Sequence, residues 1–236
     1  MRITKLYYLL GGKKNSFLYR KWYNYHQKKQ IKHKRELLQK LGNEALDAMK
    51  AACNEAKVPF WLEFGTLLGA YREHGFIPYD DDLDVGMWVD DCTRDFENLL
   101  LKYGFQKIRA FYLCNKVTNE NKLTEIALNY KGLQIDIFFN DKININQRVC
   151  YVYCAPLVDG MFTVREFILP NFSEMETLNI NNNTYMVPSN PSETLKMLYG
   201  NDFMTPREGA NATKSINNHV RIHNINELYG LGYLIQ

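Results

Sequence analysis

Apolar residues at positions 31, 37, 38, 41, 45, 46, 48, 49, 52 and 53 recur at helical spacing. They predict a helix from Ile31 to Lys57, with Pro59 marking its end. Phe60–Glu63 predicts a short strand, and Gly65-Thr66 turns into a brief helix from Thr66 to about Glu73, closed near Gly75. After Pro78 an acidic run leads into a strand over Leu83–Val89. Asp91 is placed to cap a helix that runs to about Tyr103 and ends at Gly104. The middle of the chain carries strand patterns at Phe105–Leu113, Thr124–Tyr130, Leu133–Phe139, Val149–Cys154 and Phe162–Leu169. Leu133–Phe139 is apolar except for Gln134 and Asp136, the mark of a central, buried strand that carries one carboxylate. Leu178–Val187 predicts a hairpin around Asn181–Asn183. Asn190-Pro191-Ser192-Glu193 has the form of a capped helix start with a capping box, and Gly200 ends that helix. A last helix is expected near Ser215–Leu228. Strands and helices mixed without strict alternation give an α+β class.

At 236 residues the chain is long enough for one large domain, or one domain with an appendage. Five scattered cysteines make no disulfide framework and suit a reducing compartment, and Cys150 and Cys154 lack the partners of a zinc site. Charge changes the picture more. Eleven of the 29 Lys and Arg residues fall within residues 1–35, which hold no Asp or Glu, so the rest of the chain is net acidic. The domain reading follows: a basic, aromatic-rich extension over 1–35 and a catalytic body over 36–236. Tyr7, Tyr8, Phe17, Tyr19, Trp22, Tyr23 and Tyr25 are interleaved with those cations, as in a helix lying on anionic lipid; a solvated helical extension fits equally. Nucleic acid is not an expected partner, because the body beyond the arm is acidic. No stretch approaches the roughly 20 apolar residues needed to span a bilayer. A cytoplasmic protein is therefore the expectation, with contact at the inner membrane face one of the two readings of the arm.

The candidate chemistry lies in Asp80, Asp81, Asp82 and Asp84. In an extended backbone Asp82 and Asp84 share one face, and such close like charges are costly without a cation between them. Hard carboxylate oxygens suit Mg²⁺, with Mn²⁺ as an alternative. A calcium loop fits badly, since its sharp turn needs Gly where Val85 stands. A solvated acidic turn explains Asp80 and Asp81, but not the strand alternation at Asp82 and Asp84 or the carboxylate at Asp136. The remaining reading joins Asp82, Asp84 and Asp136 as metal-binding catalytic carboxylates with Gly65-Thr66, whose helix start can hold a phosphate.

At these residues the chain resembles a known family. Trp61 to Ala70 (WLEFGTLLGA), Arg72, and Gly75 to Met87 (GFIPYDDDLDVGM) look like the LicD family, which includes the fukutin-type ribitol-phosphate transferases. The likeness continues at Gln134–Phe138 and at Leu198–Pro206, covering roughly residues 36–207. Tyr79 stands where the family often has Trp, and the vertebrate zinc-binding insertion has no counterpart. The resemblance implies a nucleotidyltransferase-like mixed sheet flanked by helices. It also implies Mg²⁺-dependent transfer of a substituted phosphate or phosphonate from a CDP- or CMP-linked donor to a sugar hydroxyl, releasing CMP. Asp82, Asp84 and Asp136 match the metal carboxylates, with Asp136 the candidate to receive the hydroxyl proton. Gly65 and Thr66 match the phosphate-binding step, and Arg72 is a diphosphate clamp or a surface ion pair. Asp80 either assists the metal site or stands behind it, and Glu63 orients the site, accepts a substrate hydroxyl or makes a structural pairing. A nucleotidyltransferase releasing pyrophosphate is the rival reading, and a degenerate binding module is a third.

Overall fold

The computed structural model describes residues 17–156, 161–208 and 220–235. A single helix, α1, runs Phe17–Ala56. It starts well before the expected Ile31, because nothing from Phe17 to Leu41 is Gly or Pro and its Lys, Arg and Gln residues are good helix formers. The helix crosses the expected boundary at residue 35 unbroken. Its first half is largely exposed, whereas Leu38, Ala45, Leu46, Met49, Ala52 and Cys53 are buried in the main core. Gly42 lets Phe76 approach, since a Cβ there would lie 2.4 Å from the ring.

The sheet begins with β1 (Trp61–Leu62), antiparallel to β2 (Leu83–Trp88), with α2 (Phe64–Arg72) between them in sequence. β2 lies parallel to β5 (Leu133–Lys142), which pairs antiparallel with β4 (Asn121–Tyr130), and β4 with β3 (Gln106–Asn115). β6 (Gln147–Pro156) joins β5 to β7 (Met161–Pro170). β8 (Met175–Ile180) and β9 (Asn183–Pro188) form the expected hairpin, bonded to α1 through Asn43 and Asp47. Next come α4 (Pro191–Tyr199), β10 (Val220–Ile222) and β11 (Leu228–Leu234); α3 (Arg94–Lys102) precedes β3. The α+β mixture of helices around a sheet-rich core is as expected.

Three local expectations are corrected. Asp91 ends a short 3₁₀ turn (Val89–Asp91), and Thr93 caps α3 by accepting the Phe96 N–H at 3.2 Å. Asn190 caps α4 with its backbone only: it is left-handed, and its N–H donates to Glu176 rather than to Glu193. Residues 220–228 are not helical. β10 pairs with β7, and β11 pairs with β3 and β7, where Gly230 and Gly232 leave room for Tyr153, Phe111 and Phe162. The first part of that expected helix, 215–219, lies outside the described residues, as do residues 1–16 of the extension.

Candidate active site

Parallel pairing of β2 with β5 sets Asp84 directly opposite Asp136. Asp82 sits in the bend just before β2, so the strand carries one of the two alternating aspartates and the loop the other. Asp80, Asp81 and Asp82 have carboxylate oxygens all within 4.8 Å of one another. These groups line one cavity of about 530 Å³, whose wall also includes Gly65, Arg72, Arg35, Arg109 and Glu125.

Two residues of α2 hold Asp84. Its backbone N–H donates to the Thr66 hydroxyl at 2.8 Å, and one carboxylate oxygen accepts the Gly65 N–H at 3.0 Å. A Cβ at Gly65 would lie 2.5 Å from an Asp80 oxygen and 3.2 Å from an Asp84 oxygen, so only glycine lets these carboxylates close over the helix start. Thr66 itself is buried and lies behind the cavity wall. Phe64 adopts φ 41°, a left-handed backbone costly for a large side chain. Edge-on packing against Phe138 at 4.7 Å and Phe167 at 5.8 Å keeps it there.

Glu63, just upstream, is fully buried and is not part of the cavity. Its carboxylate takes Arg148 at 2.9 and 3.1 Å and the Trp61 indole N–H at 2.7 Å, while its own N–H donates to the Asp84 carbonyl. It is a structural pairing that seats β1 and α2. Arg72 is anchored rather than loose at the surface: its Nε reaches Glu73 (2.7 Å), and its Nη atoms reach the Phe203 carbonyl and the Tyr79 hydroxyl (both 3.1 Å).

The electrostatics are those of carboxylates that outnumber the cations beside them. Burial first, and neighbouring carboxylates next, hold Asp82, Asp84 and Glu125 well above the usual range. Burial pushes Asp80 and Asp136 up to about 6, although Gln134 donates to both Asp136 oxygens. Lys34, 3.6 Å from Asp81, offsets little of this charge. A set of hard oxygens at this density fits a divalent cation such as Mg²⁺.

Sequence reasoning missed Arg35, Arg109 and Glu125. Glu125 had a detectable signal, a carboxylate inside the apolar strand Thr124–Tyr130. Arg109 and Arg35 had none, because only strand register and helix packing bring them to the cavity.

Comparison with known proteins matches residues 57–190 to LicD/FKTN/FKRP, nucleotidyltransferase domain. Among curated proteins, mouse ribitol-5-phosphate transferase FKTN is 30% identical over 112 residues, covering 44% of this chain and 21% of that protein. Lipopolysaccharide cholinephosphotransferase LicD of Haemophilus influenzae is 36% identical over 93 residues, 39% of this chain and 31% of that protein. Uncharacterized protein RP689 of Rickettsia prowazekii is 40% identical over 91 residues, 36% of this chain and 33% of that protein. The matched segments thus span about a fifth to a third of these relatives. With more than half of its length matched, this chain belongs to the LicD family.

Proposed function

We propose that the chain is a phosphotransferase that moves a substituted phosphate or phosphonate from a CDP- or CMP-linked donor to a sugar hydroxyl of a cell-surface glycan, with release of CMP. The observation that carries this reading is the pairing of Asp84 with Asp136 across parallel strands, beside Asp82 and facing the cavity. The similarity to a ribitol-5-phosphate transferase and a cholinephosphotransferase supports the chemical class.

Asp82, Asp84 and Asp136 would hold Mg²⁺ or Mn²⁺, which when bound neutralises phosphate charge and favours the attacking oxygen. Gly65 and Thr66 fix Asp84 at the helix start, and Arg72 braces the cavity wall through Tyr79 and Phe203. Asp136 is the side chain assigned to take the acceptor hydroxyl proton, because it lies on the central strand beside the other carboxylates. The basic first half of α1, which brings Arg35 to the cavity wall and Lys34 to Asp81, is assigned to anionic lipid at the cytoplasmic membrane face. Among the described residues no helix is long and apolar enough to cross a membrane.

Product analysis tests the reading. With Mg²⁺, a sugar acceptor and a panel of CDP- and CMP-linked donors, donor-dependent CMP that disappears in Asp82→Ala is expected. Pyrophosphate from a nucleoside triphosphate, with no CMP from any donor, would overturn it in favour of nucleotidyl transfer.

A further inference from the structure

Three arginines reach the cavity, and they differ in what they have left to give. Arg72 is tied on three sides to Glu73, Tyr79 and the Phe203 carbonyl. Arg35 holds Glu208 at 3.1 Å through one Nη, although its Nε is also buried without a partner among the described residues. Arg109 has no ion pair among the described residues: it lies over the Phe111 ring at 4.7 Å, and its Nε is buried with no hydrogen-bond partner there.

Register explains its position. Asp84 faces Asp136 on β5, Asp136 faces Ala127 on β4, and Ala127 faces Arg109 on β3. The four residues form one row across the sheet, and the methyl of Ala127 leaves the space between carboxylate and guanidinium open. Phe111 and Glu125 occupy the neighbouring row, directly opposite each other. The charge of Arg109 is felt by both Asp136 and Glu125. A buried guanidinium donor without a partner calls for an acceptor supplied from outside, and its planar fork matches phosphate oxygens.

We infer that Arg109, and not Arg72, is the phosphate-binding side chain of this cavity, holding a phosphate or phosphonate oxygen of the substrate beside the cation-binding carboxylates. This deepens, and rests on, the reading of the cavity as a phosphoryl-transfer site. A neutral substrate would leave the guanidinium unanswered. The contact with the Phe111 ring restrains the guanidinium in advance, so less side-chain freedom is lost on binding.

Calorimetric titration of the full chain with inorganic pyrophosphate in the presence of Mg²⁺ tests the assignment on wild type, Arg109→Gln and Arg109→Lys. Mg²⁺ affinity is measured separately on the same samples. The expected result is at least a tenfold loss of pyrophosphate affinity in Arg109→Gln and a smaller loss in Arg109→Lys, with no loss of Mg²⁺ affinity. Equal pyrophosphate affinity in all three proteins, joint loss of Mg²⁺ and pyrophosphate binding, or no pyrophosphate binding by wild type would overturn it. CMP release reports separately on the reaction. Arg109-dependent pyrophosphate binding without CMP from any donor removes the transferase and leaves the anion site standing.

Discussion

At the scale of single residues, the site depends on side chains that never meet the cavity. Glu63 and Arg148 are both fully buried, and the pair is closed by Trp61, Asn140 and the Pro170 carbonyl. Removing one partner strands the other charge in the interior, at about 3–5 kcal/mol. Glu63→Ala is therefore expected to lose that much stability in urea unfolding, whereas a Glu63→Leu/Arg148→Met double variant recovers most of it. Thr66 makes a different contribution, since its hydroxyl accepts the Asp84 N–H and thereby fixes where the carboxylate starts. The acidic run itself was legible in sequence because alternation with Leu83 and Val85 puts its carboxylate on one face. Arg109 was not legible, because its meaning lies in the register of β3 on β4 and no local pattern encodes that pairing. Nor was the left-handed Phe64, whose conformation is set by distant Phe138 and Phe167.

At the scale of elements, strands were the most readable part of the chain. All five central strand patterns and the Asn181–Asn183 hairpin coincide with observed strands, because each carries continuous or alternating apolar residues. The C-terminal segment misled: part of the helix expected near 215–228 is held in the sheet instead, by pairing with β7 and β3, where Gly230 and Gly232 accommodate Tyr153, Phe111 and Phe162. Helix α1 shows how one element can serve two ends. Its later half packs in the core through Leu38, Leu46 and Met49, while its earlier half bears cations and exposed aromatics such as Tyr25. Removing residues 1–30 keeps the packed half and the Lys34–Asp81 contact. The expected outcome is an almost unchanged melting temperature together with loss of sedimentation with anionic vesicles. Undiminished vesicle binding would show that the arm has another use.

At the scale of the whole molecule, the carboxylate face sets a pH dependence. Burial holds Asp80 and Asp136 near 6 in the folded chain, against about 4 when unfolded. Between those values the folded state retains protons that the unfolded state has released, so these groups' contribution to stability falls as pH rises. Glu44 and Glu55 shift the opposite way but lie at the surface, where water screens their pairs with Lys131 and Lys102. Metal-free protein is thus expected to melt higher at pH 5 than at pH 7.5, and added Mg²⁺ to raise the melting temperature more at pH 7.5. Thermal scans with EDTA or Mg²⁺ check both. The central claim, that Asp84 and Asp136 join across parallel strands to hold a divalent cation for phosphoryl transfer, is tested most directly by Mn²⁺ binding at pH 7.5. Titration of wild type, Asp84→Asn, Asp136→Asn and Asp141→Asn, a carboxylate outside the cavity, is expected to show at least a tenfold loss of affinity in the first two variants. Asp141→Asn should bind like wild type. Wild-type protein that binds no Mn²⁺, or Asp84 and Asp136 variants that bind it unchanged, would contradict the account.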